Sequence, residues 1–211
     1  STDDSELCCL KWEKKDSRII FVSKKNEKQG PTRNLGVQIA NGEYIMFVDP
    51  DDYVEKTYVE EMFSSISKYN ADMAVCDIYR IKNGKKNELL SNYDILETDS
   101  YCNNHMLLYT MSGALWAKIY RRSLFIENDI IQSKYNGQDS EVFPQILISA
   151  KKVSQVKKAL YNYVIDRAGN ATTVGINQVK GIAPIVENVV NYFKKRGIFD
   201  EIKEDLNKFL T

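Results

Sequence analysis

Gly42-Glu43-Tyr44-Ile45-Met46-Phe47-Val48-Asp49-Pro50-Asp51-Asp52 is the stretch on which the fold is read. Its five consecutive apolar residues, 44–48, include β-branched and aromatic side chains and predict a buried strand. The strand runs directly into three carboxylates within four residues. In open α/β sheets ligands bind beyond the carboxyl ends of the strands. Carboxylates crowded there repel one another unless a positive charge lies among them. A hard divalent cation, Mg²⁺ or Mn²⁺, is the simplest such charge, and these ions commonly share their site with phosphates. Pro50 stiffens the turn and fixes how Asp49 and Asp51 diverge. A plainer reading stands beside this one, in which Asp51 or Asp52 caps the next helix. One carboxylate can cap while the others bind metal, so both readings stay open.

Upstream, Pro31 sits where a helix can begin, Leu35 and Ile39 share a face, and Gly42 is a natural stop. Gly30-Pro31-Thr32-Arg33-Asn34 thus lies at a helix N-terminus, whose free N–H groups favour an anion. Arg33 would add a bidentate phosphate contact, although a surface arginine is the simpler reading. Further back, Asp3 and Glu6 form a capping-box pattern before Leu7, Leu10 and Trp12, and residues 19–22 predict a short strand. Downstream, Tyr58, Met62, Ile66 and Tyr69 recur at helical spacing, residues 71–78 predict a strand, and Asn83-Gly84 closes a hairpin. The remainder predicts a helix over 101–111, a strand over 116–120, a helix over 139–150 and short strands at 153–156 and 160–165. Two final helices carry the stripes Ile185, Val189, Phe193 and Ile202, Leu206, Phe209. This alternation predicts an α/β fold with a mainly parallel sheet flanked by helices.

Composition narrows the function classes. Lys+Arg and Asp+Glu each total 29 of 211 residues, so no net charge draws the chain to nucleic acid, and no nucleic-acid partner is expected. The longest apolar runs are far too short to span a bilayer, and the opening residues carry no secretory pattern. Cys8, Cys9, Cys76 and Cys102 lack zinc or disulfide spacing and read as reduced thiols. These features predict a cytoplasmic protein, with the inner face of the membrane as a second place for it. His105, the one histidine, excludes multi-histidine zinc sites and reads as structural. The stripe Ile185, Val189, Phe193, followed by Lys194-Lys195-Arg196, predicts packing on its own domain. A peripheral membrane contact or self-association is the other reading.

Three runs in order, Asn26-Glu27-Lys28-Gln29-Gly30-Pro31-Thr32-Arg33-Asn34-Leu35-Gly36, Ala40-Asn41-Gly42-Glu43-Tyr44-Ile45 and Phe47-Val48-Asp49-Pro50-Asp51-Asp52, resemble family 2 glycosyltransferases of the Rossmann-like GT-A fold. That family has an asparagine seven residues before the arginine of an Ala-Arg-Asn-like triplet, and a Gly-Glu-Tyr-Ile strand feeding an Asp-x-Asp motif. Both spacings hold, with Thr32 in place of alanine. Trp116-Ala117-Lys118-Ile119-Tyr120-Arg121-Arg122, Gly137-Gln138-Asp139, and Tyr161-Asn162-Tyr163 with Arg167 and Thr172-Thr173 are similar to later family segments. The resemblance covers residues 1–175 as one GT-A domain and leaves 176–211 as a C-terminal helical extension.

The resemblance implies transfer of a sugar from a nucleotide-diphosphate sugar to a glycan or other hydroxyl acceptor, with inversion. It makes Asp51 a metal ligand and places Asp49 at the metal shell or the ribose. Asn26, Arg33, Gln138 and Arg167 would bind substrate, and Asp139 would be the catalytic base. The chemistry asks for such a set: a hydroxyl needs a carboxylate to take its proton, and a departing diphosphate needs positive charge. As a bare residue, Asp139 also reads as a helix N-cap. Two departures stand out. Gln138 replaces the usual glutamate, and the family's opening strand-helix-strand, including the first strand of the sheet, precedes what corresponds to Ser1. The departures keep a non-catalytic nucleotide-sugar-binding or assembly module as an alternative. A sugar nucleotidyltransferase is weaker, because its glycine-rich, lysine-bearing loop is absent.

Overall fold

Alternation along three strands sends side chains into two separate cores, and this sets the layers of the molecule. In the structure, a computed structural model describing residues 3–165 and 176–210 (side chains of 176–180 excepted), the elements run as follows. The amino-terminal half holds α1 (Ser5–Glu13), α2 (Gln29–Ile39), β1 (Tyr44–Met46), β2 (Tyr53–Val54), α3 (Tyr58–Tyr69), β3 (Met73–Lys82) and β4 (Lys85–Leu89). There follow α4 (Leu107–Thr110), β5 (Lys118–Arg121), α5 (Arg122–Glu127), α6 (Gln138–Ser149), β6 (Val153–Val164), α7 (Ile176–Lys195) and α8 (Phe199–Leu210).

One sheet has the order β1-β5-β3-β6-β2, with β4 attached to β3. The α/β class holds, but the sheet is mixed rather than mainly parallel. Among its named pairs only β3 with β6 is parallel; β1–β5, β2–β6, β3–β4 and β3–β5 are antiparallel. The hairpin turn explains one reversal: Asn83 and Gly84 both have positive φ, 49° and 70°, the backbone that a two-residue hairpin requires. A second reversal follows from β5, which enters the sheet against β3 after the long connection from β4, and a third is β2, which runs against β6.

On one face Ala74 and Cys76 of β3, Ile119 of β5 and Leu160 of β6 meet Tyr58, Met62 and Ile66 of α3. On the opposite face Met73, Val75, Tyr120 and Val153 meet α6, α7 and α8. α6 is enclosed on all sides, every residue from Glu141 to Leu147 being buried. The stripes of the last two helices are spent on this core, with Val189 and Phe193 at 0% exposure. That stripe is therefore not free for a membrane or a second copy. Among the described residues no helix is long and apolar enough to cross a membrane.

Residues 19–22 form no strand. Ile20 is 64% exposed, and the segment is held by the Phe21 N–H donating to Glu13 Oε1 at 2.7 Å. The helix expected over 101–111 shrinks to α4, with turns before it. The two strands expected at 153–156 and 160–165 are one strand, β6, whose pairing with β3 shifts register on both sides of Asp77. All four cysteines are free. His105 is structural: its ring stacks on Tyr101 at 4.5 Å and its Nδ1 lies 2.8 Å from Asp205 of α8.

Candidate active site

The close seating of α2 begins with Gly30. A Cβ at this position would lie 1.9 Å from the carbonyl oxygen of Ser133, so only glycine lets the helix start rest on that backbone. One turn on, Asn34 locks the contact: its amide donates to the Gln132 carbonyl at 2.8 Å, and its oxygen accepts the Gln132 N–H at 2.9 Å. Arg33 is thereby aimed inward. Its side chain is 9% exposed and donates from one nitrogen to Asp49 Oδ1 and from another to Asp139 Oδ1, each at 2.6 Å. The ring of Phe47 lies 5.8 Å from the guanidinium carbon. Three residues expected at the site, from α2, the end of β1 and the start of α6, are thus brought together.

The acidic turn follows directly. The Asp52 N–H bonds back to the Asp49 carbonyl at 3.0 Å, and oxygen atoms of Asp49, Asp51 and Asp52 lie within 4.8 Å of one another. Capping is not the role of these residues, since β2 intervenes before α3, whose cap position is Thr57. Asp52 is committed to β6: it accepts from the Tyr161 hydroxyl at 2.7 Å and from the Val164 N–H at 2.9 Å. The same hydroxyl accepts the Asp49 N–H at 3.1 Å. Tyr161 therefore holds both ends of the turn. Asp51 makes no side-chain hydrogen bond among the described residues and is the freest ligand of the three. Three convergent hard oxygen donors, one uncommitted, fit a divalent cation.

Burial raises the Asp52 carboxyl above its ordinary value, and the neighbouring Asp51 and Asp49 add to the rise, against the Val164 and Tyr161 hydrogen bonds. Burial also raises Asp139, with Arg33 pulling it down and Asp49 pushing it up. A carboxylate raised in this way is a stronger base, as proton abstraction near neutral pH requires. Asp139 does not cap α6; Gly137 occupies the cap position and the carboxylate goes to Arg33.

Other expected residues are placed differently. Asn26 accepts the Lys28 N–H at 3.0 Å and lines a groove of about 570 Å³ with Lys24, Lys28, Arg33 and Asp49. Gln138 is buried and donates to Gln29 Oε1 at 3.1 Å, tying α6 to α2. Arg167 and Thr172-Thr173 lie outside the described residues. Composition and spacing gave no role to Tyr161 or Lys118. Lys118 is 2% exposed, and its ammonium donates to the carbonyls of Ser112 and Ala114 at 2.9 and 2.6 Å. Burial lowers it to about 8, with Cys76 and Asp139 opposing. A lysine inside a predicted β-strand, flanked by apolar residues on both sides, was the available signal.

Comparison with known proteins agrees with this geometry. The profile described as Glycosyl transferase family 2 matches residues 1–128. Glycosyltransferase GlyA of Streptococcus pneumoniae is 29% identical over 82% of this chain and 26% of its own length. Cholesterol galactosyltransferase of Borreliella burgdorferi is 28% identical over 99% of this chain and 61% of its own length. The chain therefore spans only part of both relatives. Residues 1–349 of TarS from S. aureus, solved with UDP-GlcNAc, superimpose with a TM-score of 0.73 at 20% identity, over 90% of this chain and 55% of that one. That likeness shows the fold, a GT-A domain. With its arginine-bridged carboxylates and acidic turn in that setting, the chain belongs to glycosyl transferase family 2.

Proposed function

We propose that this chain transfers a sugar from a UDP-sugar to an acceptor hydroxyl, using a divalent cation, with inversion at the anomeric carbon. The observation that carries the reading is the Arg33 bridge, which joins the metal-type turn at Asp49 to the candidate base Asp139 at 2.6 Å on each side. Asp51 and Asp49 would hold Mg²⁺ or Mn²⁺, and the bound ion would neutralise charge developing on the leaving diphosphate. The lysine-lined groove with Asn26 and Arg33 suits the nucleotide and its phosphates. TarS has been solved with UDP-GlcNAc and with UDP, which supports a uridine donor. Asp139, half-buried and raised, would accept the acceptor's proton as its oxygen attacks. Gln138 is spent on Gln29 and would position α6 rather than share a proton with the base.

Calorimetry with UDP-GlcNAc, UDP-glucose and UDP-galactose, with and without Mn²⁺, tests the donor half; release of UDP with an acceptor present tests turnover. Asp139→Asn is expected to keep metal-dependent binding and to lose turnover by about 10²–10⁴-fold. Metal-dependent binding with no turnover in the parent chain would instead favour a binding module.

A further inference from the structure

Behind the acidic turn lies a second cavity, of about 300 Å³, between the β3–β4 hairpin and the start of β5. That is the lower end of the size range of small-molecule sites, room for one ring-sized unit. One wall is aromatic. Trp116 stacks on Tyr161 and Tyr163, with ring centroids 4.9 and 5.1 Å apart and planes within 20°, and Trp116, Tyr163 and Tyr93 line the space. Its buried charges are two, of opposite sign, and Arg80, Ser91 and Ser112 also line it. Asp77 is 5% exposed, and its Oδ1 accepts from the Ser91 N–H and hydroxyl; its Oδ2 has no partner among the described residues. Lys118 spends two of its three protons on carbonyls.

The backbone is irregular at both charges. The β3–β6 register breaks on either side of Asp77, and Ala117, between Trp116 and Lys118, has a φ of 57°. A non-glycine residue in the left-handed region and a bulge both cost energy, and both serve to re-aim side chains. Here they turn Asp77, Trp116 and Lys118 toward one space. The cavity also adjoins the chemistry already described. Trp116 stacks on the Tyr161 that holds Asp49 and Asp52. Lys118 lies 5.5 Å from the ring of Phe143, one turn beyond Asp139 on α6.

We infer that this cavity is the acceptor subsite and that the unit it takes is a neutral pyranose. The C–H face of such a ring would lie on the Trp116–Tyr163 wall, where the negative face of the aromatic rings attracts polarised C–H bonds. Its hydroxyls would donate to Asp77 Oδ2 and accept from Lys118. The buried charges of Asp77 and Lys118 balance each other, and a donor and an acceptor beside an aromatic wall suit a neutral polyhydroxylated ring better than an acyclic chain. The inference rests on the transferase reading above, because it assigns the acceptor of that reaction.

The test uses the full chain with methyl β-D-glucopyranoside, methyl β-D-galactopyranoside and methyl N-acetyl-β-D-glucosaminide, against glycerol and ribitol. Saturation-transfer NMR, with UDP and Mg²⁺ present, is expected to show ring protons of at least one pyranoside in contact with protein. Tyr163→Ala is expected to reduce that signal at least fivefold. Leu90→Trp, which narrows the cavity from an exposed position at its mouth, is expected to do the same without disturbing the core. With the UDP-sugar that is turned over, the ratio of transfer to donor hydrolysis should fall at least tenfold in both variants. Pyranosides that give no saturation, signals indifferent to both substitutions, or polyols accepted as well as pyranosides would overturn the inference. Pyranoside contact without any UDP-sugar binding would instead retain the sugar subsite and remove the transferase reading beneath it.

Discussion

Replacing Arg33 by methionine keeps the apolar stem and removes the charge that joins two carboxylates. Each lost bond is charge-assisted, worth about 1.5–3 kcal/mol, so the pair sets a ceiling of roughly 3–6 kcal/mol. Asp49 and Asp139 keep 22% and 27% of their side-chain surface in water and can partly rehydrate. Removal also relieves the cost of burying the guanidinium. A deficit of about 2–4 kcal/mol at pH 8 is expected. Its pH dependence follows from Asp139, whose carboxyl is already raised by burial and held down by Arg33. Without the arginine it rises further. A carboxyl raised in the folded state binds protons there more tightly than in the unfolded chain. Its favourable contribution is complete below the unfolded value of about 3.9 and is lost as pH climbs through the folded one. The deficit should therefore be largest at pH 8 and shrink at pH 5. Urea unfolding with linear extrapolation, in chelator, measures both. A deficit under about 0.5 kcal/mol at pH 8, of the size of an exposed ion pair, or equal deficits at the two pH values would refute the buried bridge.

Asp51→Asn should weaken Mn²⁺-dependent UDP binding at least tenfold in calorimetry while changing metal-free stability by no more than about 0.5 kcal/mol. Tyr161→Phe removes the hydroxyl shared by the Asp49 N–H and Asp52. A loss of about 1–3 kcal/mol is expected in chemical denaturation, together with weaker metal binding. Gly30→Ala forces a methyl group into the Ser133 carbonyl, for a loss of about 1–3 kcal/mol or more by thermal unfolding. An unchanged melting temperature would mean that α2 can shift without cost.

The legible part of the site was its charge. Asp49, Asp51 and Arg33 could be named in advance because strand, turn and helix start are local signals with fixed spacing. The resemblance supplied Asp139, which spacing alone left as a cap. Pairing was much less legible. Residues 19–22 have strand composition, yet a strand exists only as part of a ladder, and no described strand offers them an edge. The parallel sheet expected from alternating elements failed for a similar reason: the direction of β5 depends on the path between β4 and β5, which has no periodicity to read. Tyr161 was invisible because its role arises from Asp49 and Asp52, more than a hundred residues away in sequence, whereas the partners of Lys118 are local carbonyls, at Ser112 and Ala114, that no side-chain pattern announces.

The enclosure of α6 has a practical consequence for dissecting this chain. Trimming it back to residue 165 would uncover the side of α6 that α7 and α8 cover, where Phe143 meets Phe209, at about 1.5–3 kcal/mol for each side chain fully uncovered, against a typical domain stability of about 5–15 kcal/mol. The helix that presents Asp139 would lose its backing, so a shortened chain should lose the proposed activity and aggregate. Chimeras that exchange the downstream region would have to carry Val189, Phe193, Ile202 and Leu206 along with the sheet.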